Sequence, residues 1–422
     1  MIAVPFIYFT LLSIYIYRRN HEIDLAFLTS LVYAISGFFA ILIDIFDLRS
    51  SDVAIYDISL EATVAYCGLL TMCMLPIIYH SHFRITDIHP ISNERLLRFL
   101  AWLTFIWFAF TTMMGWQNMM NVLTGDMAQY RADINDGWGQ ESWMTSLPTP
   151  LRFIAAVFNS FIACPWTLIF LAFFARYVQK MQKKYFFLFL SASLNGPLSG
   201  IIGADRSKTA YWIMALVAMY IFFRHKINSA AKRKILTYGV LIIGLLSLYL
   251  SAMTIARFGE KNYGNMGGTE GGLIYYFGQS FVNFCYYFDN YEPPFMHLGI
   301  IFPFVSEHIL GIPSGGVVIQ RQMTDITGLW TGVFYTFIGQ IIVGAGKSVA
   351  IVYCLGYTIL SSILLRAISK SKKFTASSMY LYFAFFSVIY LGLFGHYYTS
   401  SSITFGLITM YLFMRFLDIK KI

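Results

Sequence analysis

The chain has 422 residues, of which 58% are hydrophobic and only 12% are charged, and its net charge is +9. A soluble domain carries about a quarter charged residues, and no soluble fold of this length could bury so much apolar side chain. The composition excludes a soluble globular protein and predicts an integral membrane protein, whose surplus of Lys and Arg is expected in cytoplasmic loops rather than on a nucleic-acid surface.

Apolar stretches close to the length of a transmembrane helix recur along the whole chain. They lie at 2–17, 25–43, 57–79, 97–115, 151–174, 185–203, 209–223, 235–254, 347–366, 378–397 and 401–416. The sequence therefore predicts an all-α polytopic membrane protein with about eleven transmembrane helices in a single domain, 1–422. The first stretch begins at Met1 with no basic region before it, so it is predicted to be a span rather than a cleaved signal peptide.

The basic residues alternate with these stretches. If the N-terminus lies outside, every inner loop is short and basic, and these loops hold most of the 30 Lys and Arg residues. The positive-inside rule then predicts a periplasmic N-terminus and a cytoplasmic C-terminus. Two outer loops are long, 116–150 and 255–333, and the second is expected to contain short helices.

A charged turn, Ala204–Lys208, connects the sixth and seventh stretches and contains Asp205, Arg206 and Lys208. The sixth stretch is interrupted by Asn195, Gly196, Pro197 and Gly200. Broken helices are tolerated where they line a protein-enclosed cavity, and charge at membrane depth is usually kept for function. The turn is predicted to be part of a functional site; the alternative is a plain hairpin whose charges reach the outer interface.

Further candidates lie in the 255–333 loop and just before it. Arg257 follows the eighth stretch, and Arg321 lies later. Guanidinium groups bind phosphate bidentately, so outer arginines in one pocket would suit a pyrophosphate; otherwise they are exposed loop cations. Glu307 or His308 could take a proton from a sugar hydroxyl, or the two could be an ordinary loop pair.

Aromatic residues suggest two further surfaces. The run 273–288 predicts either a helix lying flat at the membrane interface or a surface that stacks sugar rings. His396, with Tyr397 and Tyr398, is predicted to belong to an interfacial aromatic belt.

No motif for a cofactor or metal is found in the sequence. The segment GAGKS at 344–348 lacks the first glycine of a phosphate loop, because position 341 is Ile. The five cysteines show no metal-binding spacing and are predicted to be buried small hydrophobes. The acids Asp44, Asp47, Asp52 and Asp57 could be a base or metal ligands, but they are predicted to be topology-setting or solvated. We therefore expect no cofactor and no metal.

Three segments resemble a known family. They are GADRSKTAYWIMAL at 203–216, ARFGE at 256–260 and TGVFYTFIGQIIVGAG at 331–346. A basic turn that opens a span, an arginine before a large outer loop, and spaced glycines after that loop are similar to the Wzy-type O-antigen polymerases, which join oligosaccharide repeat units and are relatives of the O-antigen ligases. Where that family often has an acid near the glycines, this chain has Thr336 and Gln340.

The resemblance implies a glycosyltransferase-C-like fold in the bacterial inner membrane and substrates linked to undecaprenyl pyrophosphate. It implies a substrate site formed by Arg206, Lys208, Arg257, Arg321 and Tyr335, with His308 or Glu307 as the base. Membrane lipid is an expected partner, a chain-length regulator is left open, and nucleic acid is not expected. Two alternatives are an O-antigen ligase and a lipid-linked oligosaccharide flippase; transporters usually show internal repeats, which this chain lacks.

Overall fold

The computed structural model describes residues 1–48, 56–80, 89–124, 148–203, 205–258, 262–263, 266–312, 316–329, 331–371, 374–398 and 400–419. Across these residues the fold is helical, apart from one antiparallel pair of two-residue strands, β1 (Asn262–Tyr263) and β2 (Met266–Gly267). Most of the predicted outer loop 116–150 lies outside the described residues.

The helices follow one another closely along the chain. In order they are α1 (Val4–Asn20), α2 (Leu25–Ile45), α3 (Leu60–His80), α4 (Glu94–Met114), α5 (Trp116–Thr124), α6 (Thr149–Ala163), α7 (Pro165–Phe173), α8 (Lys183–Ser193), α9 (Asn195–Ile202), α10 (Arg206–Phe223), α11 (Ser229–Phe258), α12 (Gly268–Asn290), α13 (Leu298–Ile301), α14 (Pro303–His308), α15 (Gly316–Thr327), α16 (Phe337–Ala345), α17 (Lys347–Ser371), α18 (Ala376–Tyr390) and α19 (Ser401–Asp418).

Each of the eleven predicted stretches coincides with a helix or a pair of helices. Within the described residues, seven helices are long and apolar enough to cross a membrane: Leu25–Ile45, Leu60–His80, Glu94–Met114, Lys183–Ile202, Ser229–Ser251, Lys347–Lys370 and Ala376–Leu393. The pair α6–α7, bent by 64°, would make an eighth. The other three stretches form α1, α10 and α19, of 17 or 18 residues, which is the short end of the spanning range. The predicted all-α fold is confirmed for the described residues, and its seven or eight candidate spans agree with a polytopic membrane protein, whereas the number eleven stays a prediction.

The chain divides into two compact units. The first contains 1–84, 258–372 and 382–401, and the second contains 85–257, 373–381 and 402–422.

Two glycines allow close helix packing in the first unit. A Cβ at Gly37 of α2 would lie 2.6 Å from the backbone nitrogen of Phe6 in α1. A Cβ at Gly278 of α12 would lie 2.5 Å from the carbonyl carbon of Phe39 in α2. Because neither contact leaves room for a side chain, these glycines let α2 pack directly against the backbones of α1 and α12.

The aromatic run 273–288 forms most of α12, and this helix is buried. Gln279, Phe281, Asn283 and Cys285 are all at most 5% exposed, although they point in different directions around the helix. The prediction of a helix lying flat at the interface is therefore wrong, because such a helix would leave one polar face in water.

Proline shapes two helix breaks in the second unit. Leu194 separates α8 from α9, because Pro197 has no N–H to donate to the carbonyl of Ser193. The predicted interruption of the sixth stretch is thus confirmed. Pro165 begins α7 after the bend, and a Cβ at Gly196 would lie 2.6 Å from its ring, so the two breaks pack against each other.

Candidate functional site

The charged turn before α10 is a tight hairpin closed by its own residues. The backbone N–H of Asp205 donates to the carbonyl of Gly200 at 2.7 Å. The Asp205 carboxylate accepts from the backbone N–H of Ser207 at 2.9 Å and from its hydroxyl at 2.6 Å. Asp205 therefore has a structural task, because it caps the N-terminus of α10.

Basic side chains in this turn are described only in part. Lys208 is exposed, as a cation that meets a soluble or membrane-bound anion would be. The side chains of Arg206, Arg257, His308 and Arg321 lie outside the described residues, although their backbones belong to α10, α11, α14 and α15. Arg206, Lys208 and Arg257 belong to the second unit; Glu307, His308, Arg321 and Tyr335 belong to the first. That these residues converge on one site stays a prediction.

Tyr335, predicted to contact substrate, occupies a core position. Its side chain is 3% exposed, and its hydroxyl donates to the carbonyl of Thr331 at 2.6 Å. Its ring meets the ring of Tyr287 edge to face, at 5.3 Å between centroids. Packing accounts for this side chain, and its hydroxyl is already engaged, so we do not include Tyr335 among the substrate-binding residues below.

Glu307 forms a tertiary contact that the sequence did not predict. The Ser401 hydroxyl, at the first residue of α19, donates to the Glu307 carboxylate at the end of α14. Both residues are half-buried. A carboxylate partly withdrawn from water is a candidate acceptor of a proton.

A buried histidine lies in the same unit. His396 is 7% exposed, and its Nε2 lies 3.2 Å from the Tyr353 hydroxyl on α17, where either atom can be the donor. Its backbone N–H donates to the side-chain oxygen of Gln340 on α16 at 2.6 Å. The Nδ1 atom is buried and has no hydrogen-bond partner among the described residues. The prediction that His396 belongs to an interfacial belt is wrong, because tertiary contacts bury its ring.

Burial also determines the charge of this histidine. His396 lies beyond the end of the candidate span Ala376–Leu393. Desolvation lowers the pKa of His396 to about 4. The ring is therefore neutral near pH 7. When Nε2–H donates to Tyr353, Nδ1 carries a free lone pair and is a proton acceptor.

Two short paths link the residues around His396 to the residues around Glu307. Four residues of chain separate His396 from Ser401. On the other side, the ring of Phe302 lies 6.1 Å from that of Tyr353, and α14 then leads directly to Glu307. A helix of this length rises about 9 Å. We call these two contact groups, His396 with Tyr353 and Gln340, and Glu307 with Ser401, the polar cluster.

No grouping suited to a metal ion occurs among the described residues. Asp44, Asp47 and Asp57 are described, whereas Asp52 lies outside the described residues. The five cysteines are buried and free of disulfides, as predicted.

No protein-family model, no curated protein and no solved structure matches the chain.

Proposed function

We propose that this protein is a membrane glycosyltransferase that polymerises oligosaccharide repeat units linked to undecaprenyl pyrophosphate. The reaction would take place at the periplasmic face of the bacterial inner membrane and build a surface polysaccharide. The observation that carries the proposal is the polar cluster, since it holds a proton acceptor and a carboxylate inside a chain composed largely of apolar helices.

The proposed reaction needs a base and a stabiliser of negative charge. A hydroxyl of the acceptor sugar attacks the anomeric carbon of the donor while the bond from that carbon to the pyrophosphate oxygen breaks. The proton of the hydroxyl passes to Nδ1 of His396 or to Glu307, with His308 as the further candidate. The lipid pyrophosphate leaves with the electron pair, and Arg206, Lys208, Arg257 and Arg321 would neutralise its charge.

Helix directions in the second unit are consistent with the proposed topology. The Arg98 guanidinium lies 5.8 Å from the ring of Tyr185, so the first turns of α4 and α8 are neighbours. Further along, Phe105 and Ser191 line one cavity. The two helices therefore run in the same direction, and the chain between them must return across the membrane. The bent pair α6–α7 can supply that crossing, which agrees with the alternation of the predicted spans.

The proposal is tested by the length of the glycans that the chain makes. Purified protein in liposomes, supplied with lipid-linked repeat units from the source bacterium, should yield longer glycans. Of Glu307→Gln and His396→Gln, the variant that removes the base should reduce elongation by about 100-fold, the lower end of what one general base contributes. The matched controls are Arg366→Gln and His225→Gln, since Arg366 lies outside the proposed site and His225 is exposed.

Other results would favour the alternatives. Translocation of the lipid-linked repeat without elongation would favour a flippase. Transfer of a finished glycan to a different acceptor, with no lengthening, would favour a ligase. An unchanged distribution of glycan lengths in both His396→Gln and Glu307→Gln would remove the polar cluster from the mechanism. An unchanged distribution of glycan lengths in Arg206→Ala and Arg257→Ala would show that those arginines do not bind the pyrophosphate.

A further inference from the structure

A groove runs along the surface of the second unit between α4 and α8. It encloses about 380 Å³ and is lined by Trp102, Phe105, Lys184, Phe187, Leu188 and Ser191. Both helices belong to candidate membrane spans. Trp102 is 45% exposed and Phe187 is 59% exposed, so the walls face away from the protein core. In a bilayer such a groove would face the lipid.

One end of the groove carries positive charge. Lys184 lies in the first turn of α8 and is exposed. Among the described residues it forms no ion pair, and its ammonium lies 5.1 Å from the ring centre of Tyr185. Arg98 of α4, whose guanidinium lies 5.8 Å from the same ring, is already paired with Glu94 at 2.5 Å. Lys184 is thus the lining residue whose charge remains available.

The rest of the lining is apolar except for Ser191. Phe187 and Leu188 follow Lys184 on α8, and Trp102 and Phe105 continue along α4 in the same direction, away from the basic end. The groove therefore has a cationic end at the level of the helix starts and an aromatic channel leading toward the middle of the membrane. A molecule with one anionic head and one hydrocarbon chain matches this arrangement.

We propose that the groove is a binding site for an anionic phospholipid, with its phosphate at Lys184 and one acyl chain along Trp102, Phe105 and Phe187. The acyl chain gains little free energy by moving from the surrounding lipid into the groove, because lipid tails are as apolar as these side chains. Selection therefore rests on the head group: a zwitterionic phospholipid offers the same chain without net negative charge. This site does not depend on the proposed glycosyl transfer, since it lies on the other unit from the polar cluster.

The test is native mass spectrometry of the full-length chain titrated with phosphatidylglycerol or with phosphatidylcholine of identical acyl chains. The chain should retain phosphatidylglycerol preferentially. Lys184→Gln should lower that preference about fivefold, the effect of one cation near anionic lipid, and Lys184→Arg should preserve it. Lys183→Gln is the matched control, because Lys183 is an exposed neighbour that does not line the groove, and it should leave the preference unchanged.

A second variant tests the channel. Ser191→Phe places a ring in the groove and should reduce binding of both lipids while the melting temperature of the protein stays within a few degrees. The proposal is overturned if both lipids bind equally, if Lys183→Gln lowers the preference as much as Lys184→Gln, or if Ser191→Phe leaves binding unchanged. Equal effects of the two lysine variants would mean that the basic end attracts anionic lipid only through its overall charge.

Discussion

The Nε2 atom of His396 lies 3.2 Å from the Tyr353 hydroxyl, and its Nδ1 atom is buried without a hydrogen-bond partner among the described residues. A buried imidazole with one free nitrogen is a proton acceptor as long as it stays neutral. The same burial that keeps it neutral makes the folded protein sensitive to acid, and this sensitivity can be measured apart from any activity.

The first prediction concerns stability in acid. Burial lowers the pKa of His396 to about 4 in the folded protein, whereas its unfolded value is about 6.5. Below about pH 6.5 the unfolded chain binds a proton that the folded chain does not, so stability is lost as the pH falls toward about 4. The full loss is about 3 kcal/mol.

The measurement compares wild type with His396→Gln, which has no titrating ring. Thermal unfolding in detergent should show that wild type loses more stability than the variant between about pH 7 and pH 4. The His225→Gln variant, which alters an exposed ring, should follow wild type. Parallel curves for wild type and His396→Gln would show that His396 titrates normally, and its assignment as a buried neutral base would fail.

The second prediction concerns helix packing at Gly278. An added Cβ would lie 2.5 Å from the carbonyl carbon of Phe39, so Gly278→Ala must push α12 away from α2. We expect a loss of about 1–3 kcal/mol, as for other overpacked sites. Gly68→Ala is the control, because α3 has nothing within 4 Å of that position.

Thermal unfolding of the two glycine variants in the same detergent provides the check. Gly68→Ala should leave stability unchanged or raise it by up to about 1 kcal/mol through helix propensity. If both variants melted at the same temperature, the close approach of α12 to α2 would be wrong, and with it the burial of the aromatic run.

The third prediction concerns the hydroxyl of Tyr56, which lies just before α3. It donates to the carbonyl of Cys285 at 3.0 Å and to the carboxylate of Asp289. Burial and then the bond to Asp289 raise the pKa of Tyr56 above its usual range. Tyr56→Phe leaves both acceptors without this donor, so we expect a loss of about 1–3 kcal/mol.

The control for this variant is Tyr79→Phe. Tyr79 is 60% exposed, and its ring faces Arg19 at 5.6 Å, a contact that Phe preserves. Denaturant or thermal unfolding should distinguish the two variants. A Tyr56→Phe protein as stable as Tyr79→Phe would show that water replaces the lost hydroxyl, and that the end of α12 is more open than the structure indicates.

The helices were predictable from the sequence, whereas the polar cluster was not. Apolar stretches of spanning length predict helices whatever surrounds them, and each of the eleven stretches forms one or two. The run 273–288 was predicted to be an interfacial helix or a sugar-stacking surface, although aromatic residues suit a protein core equally well. The burial of α12 on several sides and the close contact at Gly278 decide for the core.

The partners in the polar cluster are separated by long distances along the chain. Gln340, Tyr353 and His396 come from three elements, and nothing in the spacing of these residues pairs them. Gln340 stands out in the sequence as a polar residue in an apolar stretch. It was interpreted only as a departure from a family pattern. The burial of His396 depends on tertiary packing, which a single sequence does not determine.

The last prediction separates structure from chemistry in the turn before α10. Asp205 caps the helix by accepting from the backbone N–H of Ser207 at 2.9 Å. Asp205→Ala should cost about 1 kcal/mol, as lost caps do. Asp205→Asn keeps an oxygen acceptor in the same place and should keep the stability. If Asp205 is only a cap, the Asn variant should also elongate glycans like wild type.

The matched control is the cap of α4, where the side chain of Asn93 accepts from the backbone N–H of Leu96 at 3.3 Å. Asn93→Ala should lose a similar amount of stability without shortening the glycans. If the Asp205→Asn protein is as stable as wild type but fails to elongate glycans, the negative charge of Asp205 takes part in the reaction. Because the cap determines where α10 begins, Asp205→Ala should shorten the glycans more than Asn93→Ala does if Arg206, the first residue of that helix, binds the pyrophosphate. Equal glycan lengths in the two alanine variants would instead show that elongation does not depend on how Arg206 is positioned.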